Sequence, residues 1–175
     1  MKDINYNYKK INSAKMIIEN QEGNILLIQE PESDEWMPLH WGLPGGRPKL
    51  KESLRDALKR ILQEEIGVEI EPLGIYKIEE LLHTDRTVLM FIAVAKVFKE
   101  FEVKGRINDY RWVNAYDIEK MDTSEFTAFY TKKLLLDYLA GNREYVDFAL
   151  IETQHYYNLQ NDPEYRKWRD SGKKS

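Results

Sequence analysis

Glu64 and Glu65 are adjacent carboxylates near the end of the segment Gly46 to Val68, GRPKLKESLRDALKRILQEEIGV, which is entered through Pro44-Gly45-Gly46. Paired carboxylates are donors for a hard divalent cation, and glycine backbone lets a metal or a phosphate approach where a Cβ would block it. Metal-assisted phosphate chemistry is the first function this spacing suggests. The plainer reading makes Gln63, Glu64 and Glu65 the solvated end of an amphipathic helix. At about 100° per residue, Leu54, Ala57, Leu58, Ile61 and Leu62 fall on one stripe, and Glu65, four residues after Ile61, points into its middle. A carboxylate aimed into an apolar face is unfavourable unless paired, and a cation is its strongest partner. Glu64 sits at the edge of that face. Arg47 follows the glycines, where its planar fork can meet phosphate oxygens or simply remain a solvated loop residue.

Those carboxylates need a helix with defined ends. Ser53 suits the N-cap, Asp56 the dipole-favoured first turn, and Gly67 the C′ position. With these ends fixed, the segment resembles the Nudix box, Gly-x5-Glu-x7-Arg-Glu-U-x-Glu-Glu-x-Gly-U, where U is bulky and aliphatic. Gly46, Glu52, Arg60, Leu62, Glu64, Glu65, Gly67 and Val68 match at the right spacing, and Ile61 stands where the family has a glutamate. Eight of nine specified positions make the resemblance specific.

The resemblance, over roughly residues 10–140, implies an α/β fold, a Nudix-like α/β/α sandwich with a mixed sheet; a C-terminal helical extension, or an extended arm, is expected beyond it from the residues themselves. It implies metal ligation by the Gly45 carbonyl, Glu64 and Glu65, with Mg²⁺ or Mn²⁺ as cofactor. It implies that Glu52 pairs with Arg60 to brace the loop, although Arg60 is equally spaced for an i, i+4 pair with Glu64. The family glutamate replaced by Ile61 often ligates metal or acts as general base, so the base is open among Glu52, Asp109 and His83, with Glu102 a further acid near Asp109. His40 and His155 are weaker candidates.

The remaining elements are read from periodicity. Residues 14–19 and 24–29 are expected as strands around a turn at Glu22-Gly23-Asn24, followed by strands over 70–79, 87–98 and 111–113. The run TVLMFIAVAKVF reads as central. A helical turn is expected from Asp117, and a helix over 125–140 capped by Ser124, with Phe126, Phe129, Tyr130, Leu134, Leu135 and Tyr138 on its core face and Gly141 ending it. Residues 1–140 are assigned to the Nudix-like domain and 141–175 to a partly disordered extension. The aromatic stretch 143–160 is a candidate for packing on the domain or on a second subunit in a homodimer.

A formal charge of −4, a sequence pI near 5.5 and the lack of a basic run argue against nonspecific nucleic-acid binding. Zero cysteines exclude disulfides and thiolate metal sites. Neither a signal pattern nor an apolar run long enough for a bilayer is present, so a cytoplasmic protein without membrane association is expected.

Three functions follow from the resemblance. The first is a divalent-cation-dependent hydrolase of a nucleoside diphosphate linked to another moiety. The second is a catalytically impaired Nudix-fold module that binds a nucleotide or serves as an interaction surface. The third is a nucleotide-sugar glycosyl hydrolase, suggested by Pro44-Gly45-Gly46-Arg47 and Asp109-Tyr110-Arg111-Trp112 but lacking that branch's preceding histidine.

Overall fold

Two eleven-residue strands, β1 (Lys9–Glu19) and β6 (Arg86–Lys96), run parallel through the middle of the sheet, paired from Lys9 with Arg86 to Glu19 with Lys96. They are seen in a computed structural model that describes residues 9–99, 101–151, 153 and 162–171. Around them lie β2 (Ile25–Gln29), β3 (Trp41–Gly42), β4 (Gly45–Gly46), β5 (Gly74–Leu82), β7 (Asp109–Val113) and β8 (Val146–Asp147). The sheet order is β3-β2-β1-β6-β5-β8, with β4 on β1 and β7 on β2. The run expected to be central is central, because its apolar side chains are buried on both faces.

Strand alternation divides the core in two. Met16, Ile18, Leu26, Ile28, Ala93 and Ala95 pack with Leu58, Leu62 and Ile66 of α1 (Leu54–Ile66). On the opposite face, Ile17, Leu27, Ile92 and Val94 pack with Leu134, Leu135 and Tyr138 of α3 (Thr131–Leu139). The result is a three-layer α/β/α sandwich. Each large aliphatic side chain buried here contributes roughly 1.5–3 kcal/mol of transfer free energy.

The caps of α1 are as expected: Ser53 accepts the Asp56 N–H, and Gly67 ends the helix at φ 71°. The turn after β1 holds Gly23 at φ 79°. The short helix α2 (Ala115–Lys120) is closed by a reciprocal capping box between Asn114 and Asp117.

The expected helix over 125–140 is shorter. Asp122 caps a 3-10 turn, Thr123–Glu125, after which Phe126 bridges to Trp41 and the Thr127 N–H bonds the Trp41 carbonyl. Those contacts hold the chain extended, so α3 starts at Thr131 without a side-chain cap. Phe126 is buried, but Phe129 is 88% exposed, so it does not join the core stripe.

Beyond α3, Val146–Asp147 pairs with Gly74 and Ile75 at the sheet edge, and Phe148 is buried against the α1 face. Arg143 bonds the buried Glu19 carboxylate, which also accepts the Tyr138 hydroxyl at 2.9 Å. A last helix, α4 (Pro163–Ser171), is exposed. The expected disorder and second-subunit packing fall partly on residues 152 and 154–161 and on 172–175, which lie outside the described residues, as does His155.

Candidate functional site

β4 places the start of the box directly on β1. Lys15 pairs with Gly45 and Ala14 with Gly46, and the Met16 N–H donates to the Pro44 carbonyl at 2.9 Å. A Cβ at Gly45 would lie 2.5 Å from the Ala14 carbonyl oxygen, so this approach requires glycine. α1 then crosses the strand so that its last turn faces the same loop.

At the N-terminal side of α1, the Arg60 guanidinium grips Glu52 through two parallel bonds, Nε to Oε1 at 2.7 Å and Nη2 to Oε2 at 2.8 Å. Glu52 Oε2 also accepts the Lys49 N–H at 2.8 Å, and Arg60 Nη2 donates to the Arg47 carbonyl at 3.2 Å. The bond from Arg60 holds the Glu52 carboxyl down at about 2, and Glu52 in turn raises Arg60. Arg60 also meets Glu64, with Nη1 2.9 Å from Oε2, so both pairings considered from the sequence are made.

Glu64 is exposed and further bonded by Lys49 Nζ at 3.4 Å. Desolvation raises its pKa, but the bonds and charges of Lys49 and Arg60 together outweigh it and lower the pKa. Glu65 is half-buried and has one oxygen on the Gly45 N–H at 2.8 Å. Burial pushes its carboxyl up to about 7, against the pull of that N–H and of Lys15 and with the push of Glu30 and Glu64. Ile61, only 3% exposed, fills the space beside Gly46, 3.4 Å from where a Cβ there would be. A carboxylate would have to enter that apolar contact.

Lys15 and Glu30 were missed by sequence reasoning. Lys15 Nζ donates to the Leu43 carbonyl at 3.2 Å, and its charge acts on both Glu65 and Glu30. Glu30 follows β2 and is half-buried, so desolvation raises its pKa while Lys15 opposes the rise. No local pattern marks either residue, because they reach the box from separate strands.

The proposed bases are placed differently. Glu52 is committed to Arg60. Asp109 begins β7 opposite Gln29, exposed, with Oδ1 on the Tyr110 N–H at 2.8 Å. Glu102 pairs with Lys104 on the surface. His83 lies in the β5–β6 turn beside the Lys9 end of β1. Six residues of strand separate that end from Lys15, about 20 Å. His40 shapes its own loop, with Nδ1 2.7 Å from the Pro38 carbonyl. Arg47 is exposed, and no partner of its guanidinium is found among the described residues.

Among the described residues, no three His, Cys, Asp or Glu side chains converge as a metal cage. The two box carboxylates nevertheless suit a hard divalent ion that takes its other ligands from phosphate oxygens and water. The half-buried Glu65, with a single N–H partner for its charge, is the observation that favours such an ion.

A family model described as NUDIX domain matches residues 9–135. An 8-oxo-dGTP diphosphatase from Buchnera aphidicola subsp. Acyrthosiphon pisum (strain APS) is 25% identical over 84 residues, a match covering 47% of this chain and 66% of that protein, just under two thirds of its length. Among solved structures, a NUDIX hydrolase from Nitrosomonas europaea superposes with a TM-score of 0.67 at 19% identity, covering 84% of this chain and 99% of that one. The NUDIX domain of Shewanella oneidensis NrtR, complexed with ADP ribose, gives a TM-score of 0.57 at 21% identity, covering 77% of this chain and 88% of that one. These structural likenesses concern the fold. Among the described residues no helix is long and apolar enough to cross a membrane.

Proposed function

Because the chain belongs to the Nudix family, we propose that it is a divalent-cation-dependent hydrolase of a nucleoside diphosphate linked to another moiety. The observation that carries this reading is the arrangement at the two ends of α1: Glu52 and Arg60 lock the loop, which leaves Glu65 half-buried beside Gly45 and Glu64 at the rim. Glu64, Glu65 and the Gly45 carbonyl would hold Mg²⁺ or Mn²⁺. Such an ion, when bound, neutralises diphosphate charge and lowers the pKa of a coordinated water.

The protein's own groups do the rest. Arg47 takes a phosphate oxygen with its free fork, and Arg60 keeps Glu64 at the rim while anchoring the Arg47 carbonyl. Lys15 offsets the negative charge that Glu30 and Glu65 bring to the loop. The diphosphatase relative makes nucleoside triphosphates part of the substrate search.

The buried Ile61 favours a second reading, a nucleotide-binding module with impaired catalysis. The neighbouring NUDIX domain complexed with ADP ribose makes that compound the natural ligand to try.

One experiment separates the readings. The protein and Glu65→Gln are incubated with nucleoside triphosphates, dinucleotides, ADP-ribose and nucleotide sugars plus Mg²⁺ or Mn²⁺, and products are identified by mass. Turnover that the substitution removes is the expected result, and the mass of the product gives the bond cleaved. Metal-dependent binding with no turnover on any compound would overturn the hydrolase reading in favour of the module. Cleavage at the sugar carbon would reassign the reaction to glycosyl transfer to water.

A further inference from the structure

A cleft of about 420 Å³ opens on the α1 face of the sheet, away from the box carboxylates. It lies between the turn following β1 and the segment following β6, with β7 contributing Tyr110 and Trp112. These two residues are separated by one position on the strand and therefore share a face. Phe101 stands edge-on to Trp112, ring centroids 5.9 Å apart at 69°. Phe98 completes the aromatic lining and is 71% exposed. The volume falls within the range of roughly 300–1,000 Å³ usual for small-molecule sites.

The polar lining is equally specific. Asn20 uses its side-chain oxygen to accept the Asn24 N–H at 2.8 Å, and no partner of its amide NH₂ is found among the described residues. Gln21 uses its NH₂ to donate to the Phe98 carbonyl at 2.9 Å, and no partner of its side-chain oxygen is found there either. One amide donor and one amide acceptor therefore border the aromatic walls. The charged groups at the cleft are one of each sign, Glu22 and Lys99, which provides no net attraction for a bare phosphate or a cation.

We propose that this cleft is a second small-molecule site, which binds a planar heteroaromatic ring of the nucleobase class by stacking. Aromatic side chains accept any base face, and an amide donor–acceptor pair matches the hydrogen-bonding edge of a base. A purely apolar group would use the rings but leave both amide groups unmatched. The site also touches the segment that supports the box helix. Three residues after Phe101, the Lys104 N–H bonds the Ile66 carbonyl at 2.9 Å, and Gly105 packs so closely on the Glu65 carbonyl that no Cβ fits between them. A ring seated in the cleft therefore rests on the same stretch of chain as the end of α1.

This inference does not depend on the proposed hydrolysis, because a nucleoside carries no diphosphate to cleave. Adenosine, guanosine, cytidine and uridine are titrated separately into the full chain and into Phe98→Ala, Gln21→Ala and Glu65→Gln, and binding is followed by backbone and indole N–H chemical shifts. At least one nucleoside is expected to give saturable shifts at Phe98, Lys99, Phe101, Tyr110 and the Trp112 indole. Phe98→Ala, at an exposed position, should weaken its affinity about tenfold, the scale of one lost stacking contact. Gln21→Ala should weaken it less, and Glu65→Gln should leave it unchanged. Shifts confined to the box, undiminished affinity in Phe98→Ala, or no saturable shift at the cleft with any of the four would each overturn the proposal.

Discussion

The two ends of the box helix carry the same kind of side chain in opposite circumstances. Glu52, just ahead of the helix, has both oxygens on Arg60 and a third bond from Lys49, and its carboxyl titrates far below the ordinary range. Glu65, in the last turn, is half-buried with one N–H for company, and its carboxyl is pushed up to about 7. A carboxylate whose bonds are all made inside the protein stabilises geometry. One whose charge is only partly compensated, here by one N–H and by Lys15, is destabilising until something else binds, and such groups are enriched where ligands go. Within one motif, Glu52 is a brace and Glu65 is the proposed ligand.

Replacing Glu65 should show the largest effect. Glu65→Gln is expected to lower turnover about 100-fold or more, the scale of losing one electrostatic partner of a transition state, while the melting temperature of the metal-free protein stays level or rises. A melting temperature that falls instead would make Glu65 part of the brace.

Ile61→Glu tests whether the apolar floor between the two ends is closed. It should destabilise the metal-free protein by about 3 kcal/mol, because a carboxylate enters a position 3% exposed, with part of the loss recovered on adding Mn²⁺. Unfolding in urea with and without the ion gives both quantities. An unchanged midpoint would mean that the new side chain escapes to solvent.

Arg60→Ala should cost about 2 kcal/mol, less than a fully buried pair because 22% of the arginine side chain and 15% of Glu52 remain exposed. Calorimetry would show a smaller loss if Lys49 alone can hold the loop.

The smallest effect is a pair of opposing pH slopes. The Glu52 contribution is complete above its ordinary value of 4.5 and is lost as pH falls towards 2. Glu65, with a folded value raised from 4.5 to about 7, favours the folded state below 4.5, and that contribution is lost as pH rises through 7. Each slope should amount to about 1–2 kcal/mol after discounting for solvent. Metal-free urea titrations from pH 3 to 8 should show Glu65→Gln removing the upper slope alone and Glu52→Gln the lower one alone.

The box helix was legible because its determinants are local: a capping serine, an apolar stripe of period 3.6, and a glycine able to take φ 71°. The turn at Gly23 was legible for the same reason. The helix expected from Glu125 was not, since Ser124 and its aromatic stripe looked sufficient but the Trp41–Phe126 bridge held the chain extended until Thr131. That bridge joins residues far apart in sequence, and periodicity carries no sign of it. The two-residue strands β3, β4 and β8 are too short to show alternation at all. Within the site, the Glu52–Arg60 pair could be expected from the motif, whereas Lys15 and Glu30 arrive from other strands and have meaning only once the sheet exists.

The parallel pairing of β1 with β6 bears on the order of events during synthesis. A chain emerging from the ribosome completes the box helix before it has made β6, the strand that runs along β1 from Lys9 to Glu19. Until that partner arrives, the apolar face of α1 lies against an unfinished sheet, and closing so long a loop is the slow step expected of a parallel pairing. The contacts that place the carboxylates lie within residues 14–65, so they are translated before the strand that completes the sheet beneath them.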